Sequence, residues 1–247
     1  MHRQIEGADW YFICAPKGKD FNGTMYFRTQ GLVTLWDPLT GNRQPISSTL
    51  NGDYTSVDLS LPQAGCCFLV FTPNDDDNAP VINDDSPETI LALENEWTLT
   101  FPEGWDAPAT VKVSTLSPWK DLDISKEARA FSGTVSYTTS FDVDAIDPST
   151  EYPLDLGKVE MIAVVKLNGQ TLRTLWTPPY SLDVSKALRA GTNELTVEVT
   201  STWFNRLVYD AGQPEANRKT WTISGPSKDS PLRENGLLGP VVLRIKE

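Results

Sequence analysis

The stretch WFNRLVYD places Trp203, Asn205, Arg206 and Asp210 close together, and Arg218 and Trp221 follow a few positions later. An indole face stacks on the C–H face of a sugar ring, while amide, guanidinium and carboxylate groups bond its hydroxyls. That combination suits a carbohydrate site. The same residues have a second use. Arg206 and Asp210 can pair to anchor a loop, and Asn205 and Arg206 can turn inward to satisfy backbone carbonyls. The residue pattern leaves both readings open. The chain holds eight tryptophans, and Trp97, Trp105, Trp119, Trp176, Trp203 and Trp221 all fall in its second part. Trp97 alternates with apolar positions and is expected in the core. Trp105, Trp119, Trp203 and Trp221 lie near loops or strand ends, where a ring either meets a ligand or seals the end of a sandwich.

Other chemistries find little support. The one histidine is His2, at the terminus, so a Ser-His-Asp or Cys-His nucleophile has no base. There is no phosphate loop, no Gly-x-Gly-x-x-Gly and no His-Glu-x-x-His. A pair of carboxylates could hydrolyse a glycoside, but 33 acidic residues supply many chance pairs and none is marked out. The net charge of −12 disfavours nucleic acid and anionic membranes as partners, because phosphates would meet a surface of like sign. It leaves neutral sugars open. Cys14, Cys66 and Cys67 show no zinc spacing and are too few for a disulfide framework. They read as buried free thiols, with a Cys14–Cys66 or Cys14–Cys67 bridge left open. Cys66 and Cys67 point to opposite faces if their run is a strand.

The elements that must position these residues are strands. YTSVDLSL alternates, with Val57, Leu59 and Leu61 on one face and Ser56, Asp58 and Ser60 on the other. CCFLVF is a continuous apolar run of the kind covered on both faces. Residues 1–74 thus read as a small β-sandwich module. Residues 75–89 are polar and proline-containing, and carry Asp75, Asp76, Asp77, Asp84 and Asp85. They read as an acidic linker; a calcium site is the sharper alternative, but the spacing does not match an EF-hand loop. Residues 90–247 resume the β pattern with roughly eight strands, as in a jelly-roll sandwich. In FSGTVSYTTSFDV, residues Val135, Tyr137, Thr139 and Phe141 share a face, and Leu195, Val197 and Val199 point inward later. Asn168-Gly169 between apolar runs predicts a tight hairpin. No long amphipathic helix is expected. The start, MHRQIEGADW, lacks the apolar core of a signal peptide, and no run is long enough to span a membrane. The compartment is open, and a missing signal also fits a piece of a longer chain.

Taken together, FSGTVSYTTSF, VVKLNGQTLRTLWTPPYSLDVSKALRAGTNELTVEV, WFNRLVYD and NGLLGPVVLRI resemble the C-terminal β-sandwich region of large bacterial α-L-rhamnosidases. That sandwich is a galactose-binding-like domain, similar to the sugar-binding domain of family 2 glycoside hydrolases. HRQIEGADWYFICAP, LWDPLTGNRQPI and CCFLVF are similar to the segments before it. The resemblance implies an all-β chain of two β-sandwich modules, the second a galactose-binding-like jelly roll. The family's enzymes are several times longer, and their catalytic carboxylates lie in an upstream barrel that this chain lacks, so no catalytic residue carries over. The chain is expected to be a non-catalytic accessory or carbohydrate-binding region, either a C-terminal fragment or a relative without the catalytic part. Its implied partners are carbohydrate, a rhamnose-containing polysaccharide among them, and a catalytic barrel domain or a second copy docked through the N-terminal module. The alternatives are a free-standing carbohydrate-binding or surface adhesion module and, behind it, a small glycosidase using a carboxylate pair. No cofactor is required; a structural calcium ion is expected, since such sandwiches often hold one. Membership of a secreted glycoside hydrolase would put the chain in the periplasm or outside the cell. The candidate carbohydrate contacts are Trp203, Asn205, Arg206, Asp210, Arg218 and Trp221. They lie in the long stretch between the NELTVEV and GPV strands, which in related enzymes can lie beside the catalytic pocket.

Overall fold

A computed structural model describes residues 1–73 and 88–246, without the side chains of Glu88 and Lys246. The chain divides into two compact units, Met1–Asp85 and Ser86–Glu247. The acidic cluster Asp75 to Asp85 lies outside the described residues. The last two positions of the expected linker, Glu88 and Thr89, belong to a strand instead.

The first unit contains β1 (His2–Ile5), β2 (Ala8–Cys14), β3 (Phe21–Phe27), β4 (Leu32–Trp36), β5 (Arg43–Pro45), β6 (Thr49–Asn51), β7 (Tyr54–Leu61) and β8 (Cys66–Thr72). One sheet runs β1-β2-β8-β4-β5 and the other β3-β7-β6. Their neighbours pair antiparallel. The alternation read from the sequence decides which faces meet. Val57, Leu59 and Leu61 of β7 are buried against Val33, Cys67, Leu69 and Phe71, which removes their apolar surface from water. Strand β8 is central, as a nearly continuous apolar run suggests, although Phe68 stays half-exposed on the outer face. All three cysteines are free, but only Cys67 is buried. Cys14 is exposed and Cys66 partly so, because the pleat turns them away from the core that takes Cys67.

The second unit contains β9 (Glu88–Ala92), β10 (Trp97–Thr100), β11 (Thr110–Val113), α1 (Lys126–Arg129), β12 (Thr134–Val143), β13 (Pro153–Asp155), β14 (Lys158–Glu160) and β15 (Ile162–Leu167). It continues with β16 (Gln170–Leu175), β17 (Ser181–Asp183), β18 (Gly191–Thr200), α2 (Phe204–Ala211), β19 (Gly236–Gly239) and β20 (Val242–Lys246). A six-stranded sheet, β11-β10-β12-β18-β15-β16, and a four-stranded sheet, β17-β13-β20-β9, share one core; β14 and β19 pair separately. The long strands β12 and β18 pair from Thr134↔Thr200 to Val143↔Gly191. Their inward residues Val135, Tyr137, Phe141, Leu195, Val197 and Val199 meet Leu154, Leu182 and Leu243 of the facing sheet. This is an antiparallel sandwich. There are more strands than the roughly eight expected, because strands as short as β13, β14 and β17 are too brief to leave a period of two in the sequence.

The hairpin at Asn168-Gly169 joins β15 to β16 as predicted. Both turn residues have positive φ, 53° and 81°, which Asn and Gly tolerate best. Its neighbour Asn193 is fully buried and carries a local network. Its Oδ1 accepts from Arg189 N–H and Asn168 Nδ2, and its Nδ2 donates to the Arg189 and Gly191 carbonyls. The spacing of LNG and TNEL is therefore a packing requirement: one amide side chain closes both turns.

Candidate functional site

The sequence reading leaves WFNRLVYD as a loop. The structure makes Phe204–Ala211 a two-turn helix, α2, directly after β18. Its inward face is polar, with Asn205, Arg206 and Asp210 each buried beside Val208. Asn205 acts as a backbone substitute. Its Oδ1 accepts from Arg233 N–H and its Nδ2 donates to Arg233 O, both at 2.9 Å. Arg206 is 1% exposed. Its backbone N–H donates to the buried Ser132 Oγ at 3.1 Å, and its Nη2 lies 3.0 Å from Asp210 Oδ1.

Asp210 faces the following loop with its other oxygen. Oδ2 accepts from Thr220 N–H and Thr220 Oγ1, each at 2.7 Å, and from Lys219 N–H at 3.1 Å. Burial pushes the Asp210 carboxyl up, but the Thr220 bonds and the Arg206 guanidinium outweigh it and hold the group below the usual carboxylate range. At neutral pH the Asp210 carboxyl is therefore ionised. Tyr209 ties the helix to α1 by donating to Glu127 Oε1 at 2.6 Å. That bond, with burial, pushes the Tyr209 phenol up to about 12. These buried groups are a clasp: α2 holds Arg233 with Asn205 and holds Lys219 and Thr220 with Asp210.

Aromatic residues gather beside the clasp. The rings of Trp105 and Trp203 lie 5.4 Å apart between centroids and are inclined at 51°. Trp105 also meets the buried Phe131 edge-on at 6.3 Å, which fixes it from beneath. Trp203 remains 48% exposed. The Arg206 guanidinium stands 5.5 Å from the Trp105 ring centre and 5.2 Å from Tyr209, and Lys219 Nζ stands 5.7 Å from Trp105, within cation–π range. Lys219 Nζ pairs with Asp106 Oδ2 at 2.8 Å. The structure thus offers a tryptophan pair rimmed by one exposed carboxylate and one ammonium, held from below by a buried arginine.

The six sequence candidates separate accordingly. Asn205, Arg206 and Asp210 come together and face inward; Asn205 and Asp210 bond the backbone of the following loop, whereas Arg206 Nε and Nη1 have no hydrogen-bond partner among the described residues. Arg218 is exposed and its Nε donates to Gln213 O at 2.9 Å. Trp221 is 76% exposed, and among the described residues no ring contact joins it to Trp105 or Trp203. Trp203 alone reaches the aromatic surface. Trp119, which the sequence places near a loop, is fully buried and donates its indole N–H to Tyr137 Oη. Sequence reasoning did not join Trp105, Asp106 and Lys219 to Trp203, because more than 90 residues separate the two tryptophans. The one local signal is the turn GWDAP, where Asp106 adopts a φ of 58°. Among the described residues no three of His, Cys, Asp and Glu stand together to hold a metal ion.

Residues 123–235 match a family model described as glycosyl hydrolase 2 galactose-binding domain-like. The second unit accordingly carries a galactose-binding-like domain of the kind found in glycoside hydrolases. A solved rhamnosidase from Novosphingobium sp. PP1Y superposes on 99% of this chain with a TM-score of 0.85 and 32% sequence identity. A curated protein from Formosa agariphila, provisionally named a β-glucuronidase, is 32% identical over 185 residues, or 64% of this chain. The chain spans 23% of the rhamnosidase and 16% of the Formosa protein. The resemblance to the sandwich region of rhamnosidases and to the galactose-binding-like domain of family 2 hydrolases holds.

Proposed function

We propose that this chain is a non-catalytic accessory region of a rhamnosidase-like glycoside hydrolase, and that the Trp105–Trp203 pair is its carbohydrate-contacting surface. The observation that carries this reading is the tryptophan pair itself. It joins a half-exposed indole to a second ring anchored on Phe131, with Asp106 and Lys219 at the rim. A sugar ring stacks its C–H face on Trp203 while the Asp106 carboxylate accepts from one hydroxyl and the Lys219 ammonium donates to another. The clasp of Arg206 and Asp210 preorganises this surface, since it fixes both Lys219 and the helix that starts beside Trp203.

The fraction of the rhamnosidase that this chain spans supports assigning catalysis to another domain of a larger enzyme, with the galactose-binding-like unit positioning substrate or that domain. Calorimetric titration of the purified chain with L-rhamnose and a rhamnose-rich pectin fragment tests the proposal. Saturable heat that disappears in Trp203→Ala and Trp105→Ala supports it. Absence of heat with both ligands overturns the sugar-contacting role, and hydrolysis of an aryl rhamnoside by the purified chain overturns the non-catalytic one.

A further inference from the structure

Cys14 and Cys66 stand directly opposite each other on the neighbouring antiparallel strands β2 and β8. The next pair outward, Ala15 and Gly65, is joined by a ladder bond from Ala15 N–H to Gly65 O at 2.8 Å. Hydrogen-bonded and non-hydrogen-bonded pairs alternate along such a ladder. Cys14 and Cys66 therefore occupy a non-hydrogen-bonded pair, the type whose Cα atoms lie about 4.5 Å apart with side chains closest. That separation is within the roughly 4.4–6.8 Å that a disulfide spans. Both side chains project from the same face of the sheet, as directly opposed residues of an antiparallel pair do. Cys67 projects from the opposite face and is 2% exposed in the core. Cys14 is exposed, so a solution oxidant can reach it.

We propose that Cys14 and Cys66 form an intramolecular disulfide when the chain meets an oxidising pool of small disulfides. The Cys14 thiolate attacks a low-molecular-weight disulfide such as glutathione disulfide, breaks its S–S bond and releases one thiol. Cys66 then gives up its proton and attacks the Cys14 sulfur, which expels the second thiol. The two protein thiols are oxidised by two electrons, and the small disulfide is reduced to two thiols that take up the two protons. Burial and the adjacent Cys14 push the Cys66 thiol up to about 11, so the second attack speeds up as pH rises. Once formed, the bridge ties β2 to β8 and closes the intervening chain, including β3 to β7, into a loop.

The test is thiol counting. The chain is incubated with glutathione disulfide, quenched in acid, denatured and alkylated, and its intact mass and peptides are measured. Wild type is expected to lose two of its three free thiols, with the remaining label on Cys67 and all three restored by dithiothreitol. Cys67→Ser is expected to bridge to the same extent, while Cys14→Ser leaves Cys66 without its partner and forms no bridge. Stable glutathione adducts on Cys14 in wild type, a bridge that consumes Cys67, or a disulfide-linked dimer through Cys14 would each overturn the assignment.

Discussion

Asp210→Ala isolates the clasp that supports the aromatic surface. It removes the carboxylate that faces Arg206 Nη2 at 3.0 Å and leaves a guanidinium that is 1% exposed. Removing one partner of a buried ion pair costs about 3–5 kcal/mol, and the guanidinium that remains keeps Asp106 Oδ2 at 3.9 Å and the rings of Trp105 and Tyr209 as its neighbours. The three bonds to Lys219 and Thr220 are lost as well, but they sit nearer the surface, where water replaces them at lower cost. A loss of about 4 kcal/mol in a unit of this size lowers Tm by roughly 8–16 °C. Tryptophan fluorescence reads the effect in the correct unit, because six of the eight tryptophans belong to the second one. The paired variant Arg206→Met with Asp210→Leu removes both charges and should recover at least half of the loss. A single Asp210→Ala variant that melts within about 2 °C of wild type would refute the argument. The pH dependence has a definite sign. The Asp210 pKa is depressed in the folded state, so its contribution is fully present above the ordinary value of 3.8 and is lost as pH falls through the lower folded value.

Gly236→Ala should destabilise the second unit by about 2–4 kcal/mol in a denaturant melt. Gly236 has a φ of 103°, and a Cβ there would stand 2.5 Å from Tyr137 Oη and 2.6 Å from Trp119 Nε1. Tyr137→Phe should cost about 2–4 kcal/mol in the same assay, because the buried Trp119 indole N–H and Leu237 N–H both donate to the Tyr137 hydroxyl and would lose their acceptor together. Trp203→Ala, by contrast, should change stability by no more than about 1 kcal/mol, since nearly half the ring is already in water. The same variant should abolish the heat of sugar titration, which separates binding from folding.

How legible each part was depends on what its buried face is made of. Strands β7, β12 and β18 could be read residue by residue, because an apolar core faced by a pleated strand leaves a period of two. Helix α2 left no such trace. Its buried face carries Asn205, Arg206 and Asp210, and a rule that seeks apolar residues at helical spacing takes these for exposed positions. Their polarity follows from where the helix sits. Residues from Ser201 onward must join β18 to β19 through a long irregular stretch whose backbone N–H and C=O groups need partners. Asn205 supplies both to Arg233, and Asp210 accepts the N–H groups of Lys219 and Thr220. A leucine at position 205 would bury area but leave both backbone groups of Arg233 without their side-chain partner, which offsets what the area returns. Asn205 and Asp210 thus order the loop, and Trp105 and Trp203 form the aromatic surface beside it. That pairing comes from chain crossing between the β10–β11 turn and the end of β18. Spacing along the sequence does not carry it, and the folded strands bring the two rings together.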